Sequence, residues 1–209
     1  MESGCFAVLT GDLVRSTRLT VAAMERVRGH VLDALTESKG WKAGLVRGKP
    51  EFFRGDAWQT LISDPREALR VALFVRASLL ARDRTDTRIS IGIGPVEQIS
   101  KKRISLSTGE AFVLSGRALD EMTSYSRLTV ALPDKVGPLK SWMPVLGELC
   151  DALIRGWTSR QAEMVRVALR LLGSSHEEIA GSLQRPVSKQ AVTTVRTCTA
   201  FVRCFASSR

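Results

Sequence analysis

The chain has 209 residues, 44% of them hydrophobic and 25% charged, a globular balance with room for one substantial domain and a smaller one. No apolar run is long enough to span a bilayer. The N-terminal MESGCFAVLTGDLVRST has neither a basic lead nor a small-residue cleavage site, so no secretory signal is expected and a cytoplasmic location is. The net charge is +10, and residues 157–209 hold eight lysines and arginines against three acids, compared with 23 against 18 before them. That density suits a polyanionic partner.

In chain order, residues 5–12 (CFAVLTGD) form a short apolar run ending in Gly-Asp and read as a buried strand. Val21, Met24, Val27, Val31 and Leu35 recur at helical spacing, which predicts an amphipathic helix over residues 21–38. Residues 41–46 suit a strand, 49–55 a turn-like segment, and 57–62 (AWQTLI) the next strand. Asp64-Pro65 opens a helix reaching about Arg82, with proline in its first turn. Residues 87–93 alternate, with Ile89, Ile91 and Ile93 on one side, and form a strand. A short strand over 103–106, a helix over 109–124 and a strand over 127–132 follow. A helix over 139–154 is expected to break at Pro144. Strands alternating with helices, plus one hairpin, predict an α/β (α+β) sandwich with a mixed or antiparallel sheet.

Gly156-Trp157-Thr158 marks the expected boundary between a domain over 1–156 and an all-α domain over 157–209. Residues 159–172 form an amphipathic helix that Thr158 or Ser159 can cap. Ser175 and Glu178 offer a capping box for a short helix with Ile179, Ala180 and Leu183 facing inward. A tight connection, 184–187, leads to a last helix capped by Ser188. EEIAGSL, a turn, then SKQAVTTVR resembles the helix-turn-helix modules of bacterial DNA-binding proteins, with Pro186 as a departure that lengthens the turn. In such modules the second helix enters the major groove of double-stranded DNA. Its exposed candidates are Ser188, Lys189, Gln190, Thr193, Thr194 and Arg196. Gln190 can pair with adenine, and Lys189 and Arg196 can reach guanine or phosphate. The bland alternative is a three-helix dimerisation bundle. No CxxC pair occurs among Cys5, Cys150, Cys198 and Cys204, and the chain has two histidines, so a structural zinc site is not expected.

Asp12 ends one strand and Asp56 (FFRGDAWQTLI) begins another. If those strands are neighbours, both carboxylates project at one edge, where they can hold Mg²⁺ or Mn²⁺ against a triphosphate. Arg54 beside Gly55-Asp56, and the Lys101-Lys102-Arg103 run, are candidates to meet phosphates of a nucleotide ligand. A solvated hairpin tip is the blander reading of the run and the favoured one.

FAVLTGDLVRST, RGDAWQTLI, RISIGIGPV and TGEAFVLSGRALDEM together resemble the catalytic domain of class III nucleotidyl cyclases. They resemble more closely still the small SatD-type proteins, which look like that domain and often carry a C-terminal helix-turn-helix. The resemblance covers roughly residues 5–130. It implies a ferredoxin-like, palm-type sheet, Asp12 and Asp56 as metal ligands, and a homodimer with sites between two chains. It also implies a helix carrying an asparagine and, four residues later, an arginine for the transition state. The arginine maps onto Arg117, and the asparagine position holds Val113, which donates no hydrogen bond. Phe52 stands where a base-selecting lysine is expected. The metal half is thus intact and the transition-state half incomplete. This pattern fits a DNA-binding regulator that senses a nucleotide or a nucleotide second messenger. An active cyclase or nucleotidyltransferase, and a protein-interaction module, remain the alternatives.

Overall fold

The computed structural model describes residues 4–53 and 55–183. Strand β1 (Cys5–Leu13) is the centre of a five-stranded sheet. It is followed by helix α1 (Val21–Ser38), strands β2 (Val46–Phe53) and β3 (Ala57–Ile62), helix α2 (Ala68–Arg82) and strand β4 (Thr87–Pro95). Helix α3 (Glu110–Asp120), strand β5 (Leu128–Ala131) and helices α4 (Leu139–Arg155), α5 (Ser159–Arg170) and α6 (His176–Gly181) complete the order. The sheet runs β2-β3-β1-β4-β5, with every pairing antiparallel except β4–β5. The first six elements therefore trace the βαββαβ path of a ferredoxin-like fold, to which α3 adds one parallel strand.

Strand alternation divides the residues between the two faces. On β1, Ala7, Leu9 and Leu13 join the large core under α1 and α2, whereas Phe6 and Val8 join a small cluster with Leu61, Ile104 and Ala111 on the opposite face. On β4, Ile89 and Ile91 point into the large core. Gly92 faces α3 at van der Waals limit: a Cβ there would lie 2.3 Å from the Ala111 carbonyl oxygen. Helix α2 is buried along nearly its whole length because the sheet lies on one side and α5 on the other. Met164, Val165, Ala168 and Leu169 of α5 belong to the same core as the sheet. Arg70 fastens this contact: its Nε and Nη2 donate to the Leu169 carbonyl at 2.9 and 2.7 Å, and its guanidinium stacks 3.9 Å from the Trp41 ring.

Several local expectations change. Residues 49–53 are strand rather than turn; Lys49 and Pro50 sit in β2, the edge strand, where a missing N–H breaks no ladder. A register irregularity between Arg47 and Glu51, with Gly48 at φ +70°, accommodates them. The strand expected over 41–46 is not formed before Val46, where β2 begins; Lys39–Trp41 is a 3₁₀ turn, and Ile104–Leu106, expected as strand, is likewise 3₁₀. Helix α4 continues through Pro144. The proline removes one hydrogen bond there, and packing of the following turns against β5 maintains the helix: Gly147 lies so close that a Cβ would sit 2.8 Å from the Leu128 carbonyl. Thr158 and Ser175 both cap as their sequence suggests, each in a full capping box, with Gln161 and Glu178. Among the described residues no helix is long and apolar enough to cross a membrane.

Candidate functional site

Asp12 and Asp56 meet because β1 and β3 are antiparallel neighbours: Asp12 is registered against Ala57, the residue after Asp56. The Gly-Asp step of β1 has a packing cause. A Cβ at Gly11 would lie 2.6 Å from both the Trp58 ring and the Arg88 carbonyl, so only glycine lets the buried indole close beneath the sheet. The Trp58 Nε1 donates to Thr87 Oγ1 at 3.0 Å, and Thr87 Oγ1 donates to the Asp12 carbonyl at 2.6 Å. The backbone at Asp12 is thereby held from both neighbouring strands, and its carboxylate emerges on the face away from the large core.

That face carries a cavity of about 620 Å³, lined by Thr10, Asp12, Phe53, Asp56, Gln59 and Arg103, and closed by Gly116, Leu119 and Asp120 of α3. Its size suits a small-molecule ligand. The floor is a hydrogen-bonded polar row: Gln59 Nε2 donates to Thr10 Oγ1 at 2.9 Å, and Thr10 and Ser115 hydroxyls lie 2.9 Å apart. Asp56 accepts from Ser16 Oγ. Arg88 grips Asp12 with both arms, Nε to Oδ1 at 2.9 Å and Nη2 to Oδ2. The hydrogen bond to Asp12 raises the Arg88 pKa above its ordinary value; burial opposes this, and the charges of Asp12, Asp56 and Asp120 add to it. Arg88 is thus the counter-ion of Asp12.

Arg103 reaches the cavity rim but is paired with Glu51, which also accepts from the Ser105 hydroxyl at 3.1 Å. Burial pushes the Glu51 carboxyl up, and the bonds from Arg103 and Ser105 outweigh this and hold it below its usual value. Lys101 and Lys102 are exposed on the loop before Arg103. Arg54 lies outside the described residues. Phe52 faces away from the cavity-lining Phe53 and sits 4.9 Å beneath the Arg28 guanidinium, so the residue at the expected base-selecting position does not line this cavity. Arg117 is not brought to Asp12 within the chain: it lines a second cavity of about 440 Å³ with Lys140 and Glu148, between α3, β5 and α4, while Val113 is 49% exposed. Ser188, Lys189, Gln190, Thr193, Thr194 and Arg196 lie outside the described residues.

Arg88, Asp120, Thr10 and Gln59 were missed by sequence reasoning. The alternation of RISIGI held a signal for Arg88, since its residue parity places it opposite the isoleucines, but its pairing with Asp12 depends on the β1–β4 register. The site's oxygen-only donors suit a hard divalent cation such as Mg²⁺ or Mn²⁺, which commonly takes one or two carboxylates and completes its shell from phosphates and water. Among the described residues no group of three His, Cys, Asp or Glu side chains is arranged to hold a metal without such help.

No family model matches the chain, and no curated protein does. Solved structures with a similar fold include the catalytic core of a rhodopsin-guanylyl cyclase with converted specificity, in complex with ATPαS. It is 15% identical, over 69% of this chain and 83% of that one, with a TM-score of 0.46. The adenylyl cyclase CyaB from P. aeruginosa is 14% identical over 63% and 77%, TM-score 0.46. The guanylate cyclase domain of RhGC from Catenaria anguillulae, in complex with GTP, is 15% identical over 63% and 79%, TM-score 0.45.

Proposed function

We propose that the chain is a SatD-type, cytoplasmic DNA-binding regulator, working as a homodimer. Its α/β unit (1–156) takes up a nucleotide or nucleotide second messenger with a divalent cation, and its C-terminal module (157–209) contacts double-stranded DNA. The observation that carries the reading is the convergence of Asp12 and Asp56, from adjacent strands, on one polar cavity rimmed by Arg103. In this reading Asp12 and Asp56 hold Mg²⁺ or Mn²⁺, which neutralises phosphate charge when bound. Thr10 and Gln59 fix the cavity floor, and Arg103 and Arg88 lie near the anionic group. Support for the DNA-binding half is the basic C-terminal charge and the pair of capped helices α5 and α6 that leads into the segment carrying Ser188, Lys189, Gln190, Thr193, Thr194 and Arg196.

Sensing is preferred over turnover because Val113 offers no hydrogen-bond donor to a developing charge. The cyclase reading keeps one specific point in its favour. Arg117 is exposed on α3, three residues from the cavity-lining Asp120, so a second copy can present its Arg117 where the first cannot. Calorimetry of the full chain with nucleoside triphosphates and cyclic mono- and dinucleotides, with and without Mn²⁺, tests both readings when the same mixtures are chromatographed for product. Metal-dependent binding that Asp12→Ala abolishes, with no product, is the expected result. Product that disappears in Asp12→Ala makes the chain an enzyme, and the absence of any binding removes the sensor. A gel-shift selection from genomic DNA, with Lys189→Ala as control, tests the DNA-binding half; no retained fragment overturns it.

A further inference from the structure

Helix α4 has two apolar faces and the fold uses one of them. Gly147, Cys150, Asp151 and Ile154 are buried against the rest of the chain. On the far side Leu139, Trp142, Val145, Leu149 and Leu153 stand exposed at 52, 69, 45, 61 and 57%. With the half-buried Leu146, Leu139, Trp142, Leu149 and Leu153 follow spacings of three, four, three and four residues, the a/d seam of a helix that pairs with another helix. No charged residue falls within the seam: Lys140, Glu148 and Arg155 lie to its side, and Lys140 is bound to Asp134. Scaled by ordinary side-chain areas, these exposures leave about 500 Å² of contiguous apolar surface, the size at which a patch on a soluble protein marks an interaction site.

We infer that this face is a dimer interface, occupied by α4 of a second copy running antiparallel to the first. The seam is self-complementary in that arrangement. A two-fold axis beside Pro144 sets Leu139 of each copy against Leu149 of the other and Trp142 against Leu146, so these a positions meet d positions, with Leu153 flanking the paired segment. Val145, the exposed apolar residue just off the seam, then lies beside its own copy at the axis. Two such faces together bury about 1,000 Å², the lower bound for a specific protein–protein interface, with the indole of Trp142 as its central anchor. The inference rests on the homodimer of the proposed function and names its face; none of these residues lines the cavity at Asp12, so loss of the dimer and loss of nucleotide binding are read separately.

Sedimentation of the full chain across concentration, with the intrinsic tryptophan emission followed in parallel, tests it. The unmodified chain is expected to dimerise in the micromolar range, with emission shifting to shorter wavelength as Trp142 loses water, and Trp142→Phe is expected to abolish the shift. Leu149→Glu places two carboxylates in a dry seam and is expected to weaken dimerisation about 100-fold or more, with the far-ultraviolet circular dichroism unchanged. Should Leu149→Glu fail to fold, the dilution series on the unmodified chain still decides. A chain that stays monomeric at 100 μM overturns the inference, because some other partner then covers the stripe. So does a dimer that persists in both Leu149→Glu and Trp142→Glu, because it uses a different face.

Discussion

Replacing Arg88 by glutamine should tighten, not weaken, binding of a divalent cation by the nucleotide-free protein. A carboxylate whose two oxygens are both engaged by one guanidinium is not free to coordinate a metal, and Asp12 is in that state. The size of the effect follows from the pair's surroundings. Two unit charges about 4 Å apart attract by about 4 kcal/mol at a near-surface dielectric. The two side chains are 30% and 22% exposed, so solvent screening cuts this sharply. The bidentate, charge-assisted geometry leaves about 1–2 kcal/mol that a metal must displace. Glutamine removes that competition and the positive charge together, so Mn²⁺ should bind about 5- to 30-fold tighter. Titration calorimetry, or the loss of the free Mn²⁺ paramagnetic signal, reads this without any turnover. Asp12→Ala is the reference for a lost site and a thermal melt confirms that each variant is folded. Unchanged or weaker Mn²⁺ binding in folded Arg88→Gln would refute the argument and place the cation away from Asp12.

Three further predictions concern the frame around the site. Arg76 is fully buried, donating to Asp86 through Nε at 2.9 Å and Nη2 at 2.7 Å, while Nη1 lies 2.9 Å from Asp151 at an angle that makes an ion pair rather than a hydrogen bond. Arg76→Met removes the buried cation shared by Asp86 and Asp151, leaving them the more exposed Arg127 and Arg155, and should cost about 3 kcal/mol in urea unfolding; a loss under 1 kcal/mol would show that the network is not paired in solution. Burial pushes the Asp86 carboxyl up, but Arg76 and Arg127 outweigh it and hold the pKa below the ordinary value. Its contribution is therefore complete above the unfolded carboxylate pKa of about 4 and is lost as pH falls through the lower folded value. Acid unfolding followed by circular dichroism should accordingly be less steep in Asp86→Asn, and an identical slope counts against this. Gly92→Val forces α3 off β4, where even a Cβ would meet Ser115 N at 2.5 Å, and should cost about 2–3 kcal/mol and, under the proposed function, weaken nucleotide binding at the cavity that α3 closes.

The elements with a plain apolar pattern were legible from sequence. Helix α1 begins and ends where its apolar spacing predicts, and β1 alternates between two cores as its pattern allows. Asp12 and Asp56 were placed by strand edges alone, and their meeting required only that β1 and β3 be neighbours, which the sheet order satisfies. Strand β2 was hidden because edge position tolerates the glycine, lysine and proline that argue against a strand elsewhere. Arg88 was hidden because its partner is fixed by non-local register, 76 residues away in sequence. The stretch ALRVALFVRASLLAR is apolar on all sides, the mark of a helix packed on both sides, yet it does not say that α5 supplies the second side.

That second side constrains how a signal can leave the cavity. Arg70 ties the end of α5 to α2, donating to the Leu169 carbonyl through two nitrogens and to Glu67 at 3.0 Å, with its face on Trp41. Burial lowers the Arg70 pKa, and Glu67 only partly offsets this. A clamp of this kind makes α5 move with the sheet-bearing body rather than swing against it. Under the proposed function, a nucleotide would therefore alter DNA contact by changing how two copies sit, and not by loosening α5 within one copy. Arg70→Ala separates the two mechanisms. It leaves the Leu169 carbonyl without its donors and should cost about 2–3 kcal/mol, little enough for the chain to stay folded. Nucleotide affinity should be unchanged, because Arg70 is remote from Asp12 and Asp56, whereas the nucleotide's effect on DNA affinity should shrink severalfold as α5 is released. An undiminished nucleotide effect in Arg70→Ala would mean that the clamp does not transmit it.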